Sequence, residues 1–312
     1  MDSIRVSPKQ TTFIPGVDYM TDYNEWLRIH NGGAPTGNEA TDPTQRYIRN
    51  ARDLARLVAM DTIYTEAFRG TLILLSQGAI NKVGFNGPYV GSYRQKGFVN
   101  FGVSQVMRLL GSCEGSQRTS WYQKWQVHLF ARPEALAGTV HNTLVSSLGA
   151  PIDASLLDNK ELLLRLAAPN GAQNMGASLS SRYRCPLSFF TLLLRVTPPF
   201  RKRQATMGGS PSHPSYRAGH AVQNEAFATL LKALVGLDRG EECFSDPVYP
   251  DDSGLELLPY TGDCLTCGGQ INKLATNVPI GRQMMGVHYR FDSMEGMILG
   301  QTVAVRMLHQ VI

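Results

Sequence analysis

Two histidines seven residues apart, His213 and His220, stand in the stretch GSPSHPSYRAGHAVQN (Gly209 to Asn224), separated by a Pro-Ser-Tyr turn and followed by a run of helical character. Two other segments hold residues able to do chemistry: KWQVHLFARP, from Lys124 to Pro133, and GRQMMGVHYRFD, from Gly281 to Asp292. Taken singly, each has an ordinary explanation. Lys124 and Arg132 read as solvated helix charges, Arg282 as a surface residue, His220 as a helix-start histidine and Asp292 as an N-cap. Together they describe a receptacle for a tetrahedral oxyanion. Arg132 and Arg282 each offer a planar fork of donors and Lys124 adds a point charge, so three cations match an anion of two or three charges. Gly219 opens the following helix, where backbone N–H groups and the positive dipole end favour an anion, and its lack of a side chain allows close approach. His288 and His220 supply one group to bond the central atom and one to move protons. Asp292, four residues after His288, either orients that ring through its second nitrogen or only caps the last helix.

In order, Lys-x7-Arg-Pro, His-Pro-Ser-Tyr-x2-Gly-His and Arg-x3-Gly-x-His-x3-Asp resemble the vanadium-dependent haloperoxidases, which share their anion site with type 2 phosphatidate phosphatases and class A acid phosphatases. Seven residues between Lys124 and Arg132, and the upstream His213, resemble the red-algal bromoperoxidase branch and its bacterial relatives. The flanks HAVQNEAFATLLKALVGLDRG and INKLATNVPIGRQMMGVHYRFD point the same way. The resemblance implies an all-α helical bundle and a vanadate cofactor. It implies that Lys124, Arg132 and Arg282 hold the equatorial oxygens, with Gly219 giving a backbone N–H. His288 would be the axial ligand to vanadium, His220 the acid–base residue and His213 a neighbour that tunes halide handling. Hydrogen peroxide, a halide and small organic acceptors are the implied partners, a hypohalous-acid equivalent the product, and a homo-oligomer the implied assembly.

Composition fits this and excludes several alternatives. The chain has 312 residues, enough for a large core, and is read here as a single domain. Thirty Lys plus Arg against 25 Asp plus Glu, without long basic runs, does not imply nucleic acid. No window reaches the roughly 18 unbroken apolar residues of a membrane span, and the first residues carry no apolar signal core, so a soluble chain is expected. Five cysteines, an odd number widely scattered, argue against a disulfide framework, and Cys264-Leu-Thr-Cys267 is a lone pair without a second metal-ligand pair.

Apolar spacing predicts one long helix or two in line over 44–76 with a start signal at Asp42-Pro43-Thr44, then a glycine-rich loop over 78–101 and a helix over 103–110. A third helical region is predicted from Ser120 through WYQKWQVHLFARPEALAG, an amphipathic helix over 220–237, a polar loop over 243–263, a helix from INKLATNVPIGRQMMG up to Gly286, and a last helix starting at Asp292.

Three features depart from the resemblance. Ala218 stands where those relatives carry Ser or Thr, removing a hydroxyl whose bond to the anion is worth about 1.5–3 kcal/mol, which predicts vanadate binding about tenfold to a hundredfold weaker. Beside it, Arg217 replaces a proline and is expected either at the mouth of the site or, by slight preference, toward solvent. Third, the stretch 177–207, with an apolar run, Pro-Pro and Arg-Lys-Arg, fits neither an amphipathic helix nor a paired strand and reads as an insert or a misread segment. Members of the red-algal branch are longer, and the match is mainly to their C-terminal, site-bearing half. Two rival readings follow: a phosphohydrolase working through a phosphohistidine at His288, and an inactive truncated homologue.

Overall fold

A computed structural model describes residues 7–14, 17, 19, 20, 22–60, 64–76, 89, 91–95, 97–100, 102–146, 153, 207–235 and 243–310. Strand β1 (Gln10–Phe13), helix α1 (Tyr23–His30) and strand β2 (Thr41–Arg46) come first, with β1 and β2 paired antiparallel. Helices α2 (Ala51–Met60), α3 (Thr65–Ser76), α4 (Val103–Ser112) and α5 (Glu114–Gln123) follow, and α5 runs into a π-helical turn at Lys124–His128. Next come α6 (Pro133–Ser146) and α7 (Gly219–Val235), then an antiparallel hairpin of β3 (Val248–Pro250) and β4 (Leu257–Pro259). Helices α8 (Cys267–Met284) and α9 (Arg290–His309) complete the described residues. Among the described residues the architecture is a helical bundle with two small two-stranded sheets.

Helix α7 is the hub rather than an amphipathic surface helix. Every residue from Ala221 to Ala228 is buried, as are Leu230, Leu231 and Leu234. A helix so enclosed needs small residues where its neighbours cross. A Cβ added at Gly296 of α9 would meet Ala221 Cβ at 2.9 Å, and one at Gly300 would collide with the backbone of Val222. The two helices therefore approach backbone to backbone. Around α7, Ala67, Leu74, Val106, Leu109, Leu110, Ile271 and Ala275 close one apolar cluster. Burying each large aliphatic side chain in it stabilises the fold by about 1.5–3 kcal/mol.

Several predicted boundaries move. The start signal at Asp42 does not begin a helix, because Pro43 and its neighbours lie in β2, and the Asp42 carboxylate accepts from Thr44 N–H (2.9 Å) and Arg46 Nε (3.0 Å). The capping role passes to Asn50, whose Oδ1 accepts from the N–H groups of Arg52 and Asp53, each at 3.0 Å. The helical region expected from Ser120 onward breaks at Leu129, which is left-handed (φ 44°), and a new helix starts at Pro133. A residue preceding proline is driven out of the helical region, and proline is well suited to a first helical position. Tyr289 rather than Asp292 caps α9; Asp292 sits one turn inside, its Oδ2 accepting from Tyr289 N–H at 3.0 Å.

The polar loop over 243–263 holds the β3–β4 hairpin, and Cys243 and Cys264 form a disulfide, Cα atoms 5.4 Å apart. The expectation against disulfides is thus overturned: an odd count leaves room for one bridge, and the hairpin brings residues 21 apart together. Cys267 begins α8, with Thr266 Oγ1 accepting from Gly269 N–H. Residues 154–206, which carry nearly all of the anomalous stretch, lie outside the described residues; Met207 at its end is buried, its N–H donating to Glu39 Oε1 at 3.1 Å. Among the described residues, no helix is long and apolar enough to cross a membrane.

Candidate functional site

The three motif segments meet where α5 ends, α7 begins and α8 turns into α9. The π-helical turn holds Lys124 almost fully buried, at 2% exposure, and aims Nζ at the carbonyls of Pro214 (3.0 Å) and Ser215 (2.8 Å). Arg132, placed on the extended link before Pro133, reaches the same loop. Its Nε donates to the His213 carbonyl (2.8 Å) and its Nη1 to the Val287 carbonyl (2.8 Å), and Nη1 lies 3.3 Å from His288 Nε2. Arg282, in the last turn of α8, is buried beside the Val58 carbonyl (3.3 Å) and Met285 Sδ (3.5 Å). None of the three is the solvated charge that each resembles when read alone.

His288 is 2% exposed, and its Nδ1 is 3.0 Å from Asp292 Oδ2. A carboxylate accepts only, so Nδ1 carries the proton and Nε2 keeps its lone pair, turned toward Arg132. Asp292 takes the first of the two roles that its spacing left open; it is not itself the N-cap, and the same oxygen accepts the N–H of Tyr289, which is. Burial, then the charges of Arg132, Lys124 and Arg282, hold the His288 pKa well below the ordinary imidazole value and so keep the ring neutral. His220 also acts on it electrostatically.

The electrostatics are those of a cation cluster. Burial, and next Arg132, bring Lys124 down to about 7; burial, and next Arg282, bring Arg132 down to about 10. Two carboxylates oppose them. Asp292, raised to about 6 mainly by burial, acts on both Lys124 and Arg132, and Glu134 acts on Arg132. Three buried cations against two buried carboxylates leave a positive excess that a bound anion would neutralise. The space before Gly219 is open, because a Cβ added there would meet no atom within 4 Å, and the backbone N–H groups of a helix start point toward such a space. The residues therefore fit a compact oxyanion.

His213 packs its ring against Trp121 (centroids 4.9 Å apart), while Arg132 Nη2 lies 3.0 Å from its Nδ1. Burial, and next Arg132, push His213 down to about 4, so the ring is neutral at ordinary pH. Arg217 goes neither to the mouth of the site nor to open solvent: its Nε donates to Tyr216 Oη (3.1 Å) and its Nη2 is 3.5 Å from Glu295 Oε2. Ala218 is fully buried, and its N–H donates to the Asp292 carbonyl at 3.0 Å, which ties the start of α7 to the first turn of α9. A cavity of about 650 Å³, lined by His30, Trp125, Phe130, Arg132, Glu134 and His213 among others, leads to this side of the cluster.

Three neighbours of the site are not singled out by the sequence. Trp121 reads as one more aromatic on a helix, and nothing in its spacing marks its contact with His213. Ser215 lies inside the HPSY turn, and its hydroxyl is 3.5 Å from Asp292 Oδ1. Glu134 follows Arg132-Pro133 directly and is 1% exposed, but a Glu in a first helical turn is ordinarily a dipole partner at the surface.

Comparison with known proteins bears on this geometry. Residues 197–312 match the VCPO second helical-bundle domain. Over 310 residues the chain is 57% identical to a vanadium-dependent bromoperoxidase of Ascophyllum nodosum, covering 99% of this chain and 52% of that one. The chain is a homologue of the vanadium-dependent bromoperoxidases. A second relative, from Corallina officinalis, is 32% identical over 99% of this chain and 50% of its own length. A solved structure, the homohexameric second vanadate-dependent bromoperoxidase of Ascophyllum nodosum, superposes with a TM-score of 0.81 at 36% identity, covering 99% of this chain and 51% of that one. The helical bundle is thus of the vanadium haloperoxidase type. The chain spans about half the length of the relatives it matches.

Proposed function

We propose that this chain carries the vanadate site of a vanadium-dependent bromoperoxidase, which oxidises bromide with hydrogen peroxide to a hypobromous-acid equivalent that halogenates small organic acceptors. The observation that carries the reading is the orientation of His288: Asp292 holds Nδ1, and Nε2 turns into a buried cluster of Lys124, Arg132 and Arg282. A neutral imidazole nitrogen facing an excess of positive charge suits a ligand that is both an anion and a Lewis acid. In this reading Lys124, Arg132 and Arg282 hold the vanadate oxygens, the Gly219 N–H adds a donor, and His288 Nε2 is the metal ligand.

When bound, vanadate supplies a Lewis acid that accepts hydrogen peroxide and makes it electrophilic toward halide without changing its own oxidation state. The chain's residues do the rest. His220, in the first turn of α7, takes and returns the proton of the incoming peroxide. Lys124 supports the charge that develops on oxygen during transfer. His213, neutral and braced between Trp121 and Arg132, lines the cavity through which a halide arrives. A homo-oligomer is proposed by analogy with the homohexameric relative.

The test is reconstitution with orthovanadate, followed by calorimetric affinity and bromide-dependent bromination of a diketone. His288→Ala is expected to lose both, and His220→Ala to keep vanadate but turn over slowly. Parent-like vanadate affinity in His288→Ala would remove the ligand assignment.

A further inference from the structure

Glu134 is a carboxylate at 1% exposure in the first turn of α6, and the proposed chemistry does not use it. Its Oε2 accepts from the Ser210 N–H at 2.6 Å and its Oε1 from Trp26 Nε1 at 2.9 Å, with His30 Nδ1 3.8 Å away. The loop reached through Ser210 is the one on which the cation cluster rests. Arg132 donates to its His213 carbonyl, and Lys124 to its Pro214 and Ser215 carbonyls. A second tie closes the far end, where the Ser215 N–H donates to the Phe130 carbonyl at 3.0 Å. The span from 210 to 215 is therefore clamped at both ends, and the three carbonyls facing the cations lie within the clamp.

The approach at Glu134 is close. Gly209 has φ +69°, and a Cβ there would lie 3.2 Å from Glu134 Oε1 and 3.0 Å from Met20 Cε. Both the conformation and the space call for glycine. A charged acceptor with two donors makes a stronger tie than a neutral one, and the charge of Glu134 also favours the ionised form of Arg132 two residues away.

We infer that Glu134 is a positioning residue for the oxyanion site: by gripping Ser210 N–H it sets the register of the 210–215 loop, and so the direction in which Arg132 and Lys124 present their remaining donors. Carbonyls and a bound anion compete for the same N–H groups. A loop that slips by even a fraction of an ångström changes which donors are left for the anion. The consequence for vanadate rests on the function proposed above; the consequence for the loop does not.

The test compares Glu134→Gln with Trp26→Phe, which removes the indole donor to Glu134 but leaves the carboxylate on Ser210. Amide hydrogen exchange at Ser210 and Ser215 is expected to speed up in Glu134→Gln and to stay near the parent rate in Trp26→Phe. Orthovanadate affinity is expected to drop about tenfold in the first variant and to hold in the second, even where Trp26→Phe has the lower melting temperature. Parent-like exchange of the loop in Glu134→Gln overturns the inference, as do affinity losses that follow melting temperature across both variants. A parent that binds no vanadate removes the proposed function, and loop exchange alone then decides the role of Glu134.

Discussion

The 3.0 Å contact between His288 Nδ1 and Asp292 Oδ2 fixes which nitrogen of the ring meets the cations. One carboxylate oxygen does this while also accepting the Tyr289 N–H that starts α9, so the His288 ring and the helix start are set by the same atom. Partners of this kind raise the basicity of the ring and lock its tautomer.

Asp292→Ala removes both acceptances at once. Vanadate affinity is expected to fall about 10–100-fold, the usual effect of losing such a partner. Stability should fall by about 1–3 kcal/mol, because a buried imidazole N–H is left without an acceptor. Asp292→Asn keeps an amide oxygen that can accept from Nδ1 and should recover part of the affinity. Calorimetric titration of the three proteins checks this; equal affinities would mean that packing alone orients His288.

Lys124 predicts a pH dependence whose sign follows from its burial. Its pKa in the fold, about 7, lies far below the roughly 10.4 of an exposed lysine, so the folded protein holds one proton fewer than the unfolded chain between those values. Without an anion, this group makes stability rise with pH across that window. Anion binding has the opposite sign, since only the protonated ammonium attracts the ligand. Sulfate keeps a constant charge over this range, and its affinity should fall as pH rises above about 7, approaching a factor of ten per unit. Lys124→Gln should bind more weakly at pH 6 and lose the slope. His213, pushed down to about 4, stays neutral throughout and does not compete as the source.

How much of the site is legible in the sequence depends on whether a residue's role lies in its spacing. Lys124, Arg132, His220, Arg282 and His288 occur in short motifs whose order and intervals carry the resemblance, and the fold brings those motifs together. Burial is not legible. Arg282 and Lys124 look like surface charges because their burial comes from helices distant in sequence, as the contact of Arg282 with the Val58 carbonyl illustrates. Helix α7 reads as amphipathic for the same reason: Gln223, Asn224 and Glu225 are polar, and only the neighbours that crowd them show that they are buried. The strand at Thr41–Arg46 escapes a local reading because its partner, Gln10–Phe13, is a long-range choice that local propensity does not encode.

The disulfide supports a separate expectation about stability. Cys243 and Cys264 close the β3–β4 hairpin immediately before α8, with a sequence separation of 21. Cross-linking a loop of this size restricts the unfolded chain and is worth about 3 kcal/mol. Cys264→Ser is expected to lower the denaturant midpoint accordingly while leaving vanadate affinity close to that of the parent, because the bridge is not among the groups around His288. A loss of affinity at unchanged midpoint would place the hairpin in the site after all.

Ala218 gives the sharpest test of the oxyanion geometry. Its carbonyl accepts from Val222 N–H at 3.1 Å, which makes it the residue that leads into α7 beside the open space at Gly219. A serine hydroxyl at this point has two partners within its choice, the anion or the N–H groups of the first turn of α7. If it meets the anion, Ala218→Ser should tighten vanadate binding by about 1.5–3 kcal/mol, tenfold to a hundredfold. Bromination at limiting vanadate should rise with it, and the gain should shrink at saturation, because a bond made equally to resting and reacting anion changes affinity more than turnover. If it caps the helix instead, stability should rise by about 1 kcal/mol with affinity unchanged. The first outcome is expected, since donating the hydroxyl hydrogen to a charged acceptor is worth more than accepting from a helix N–H. Arg217 does not substitute for the missing hydroxyl, its guanidinium being held by Tyr216 and Glu295, so Arg217→Ala should leave vanadate affinity as it is in the parent. A serine variant with neither gain would mean that no anion sits against the N-terminus of α7.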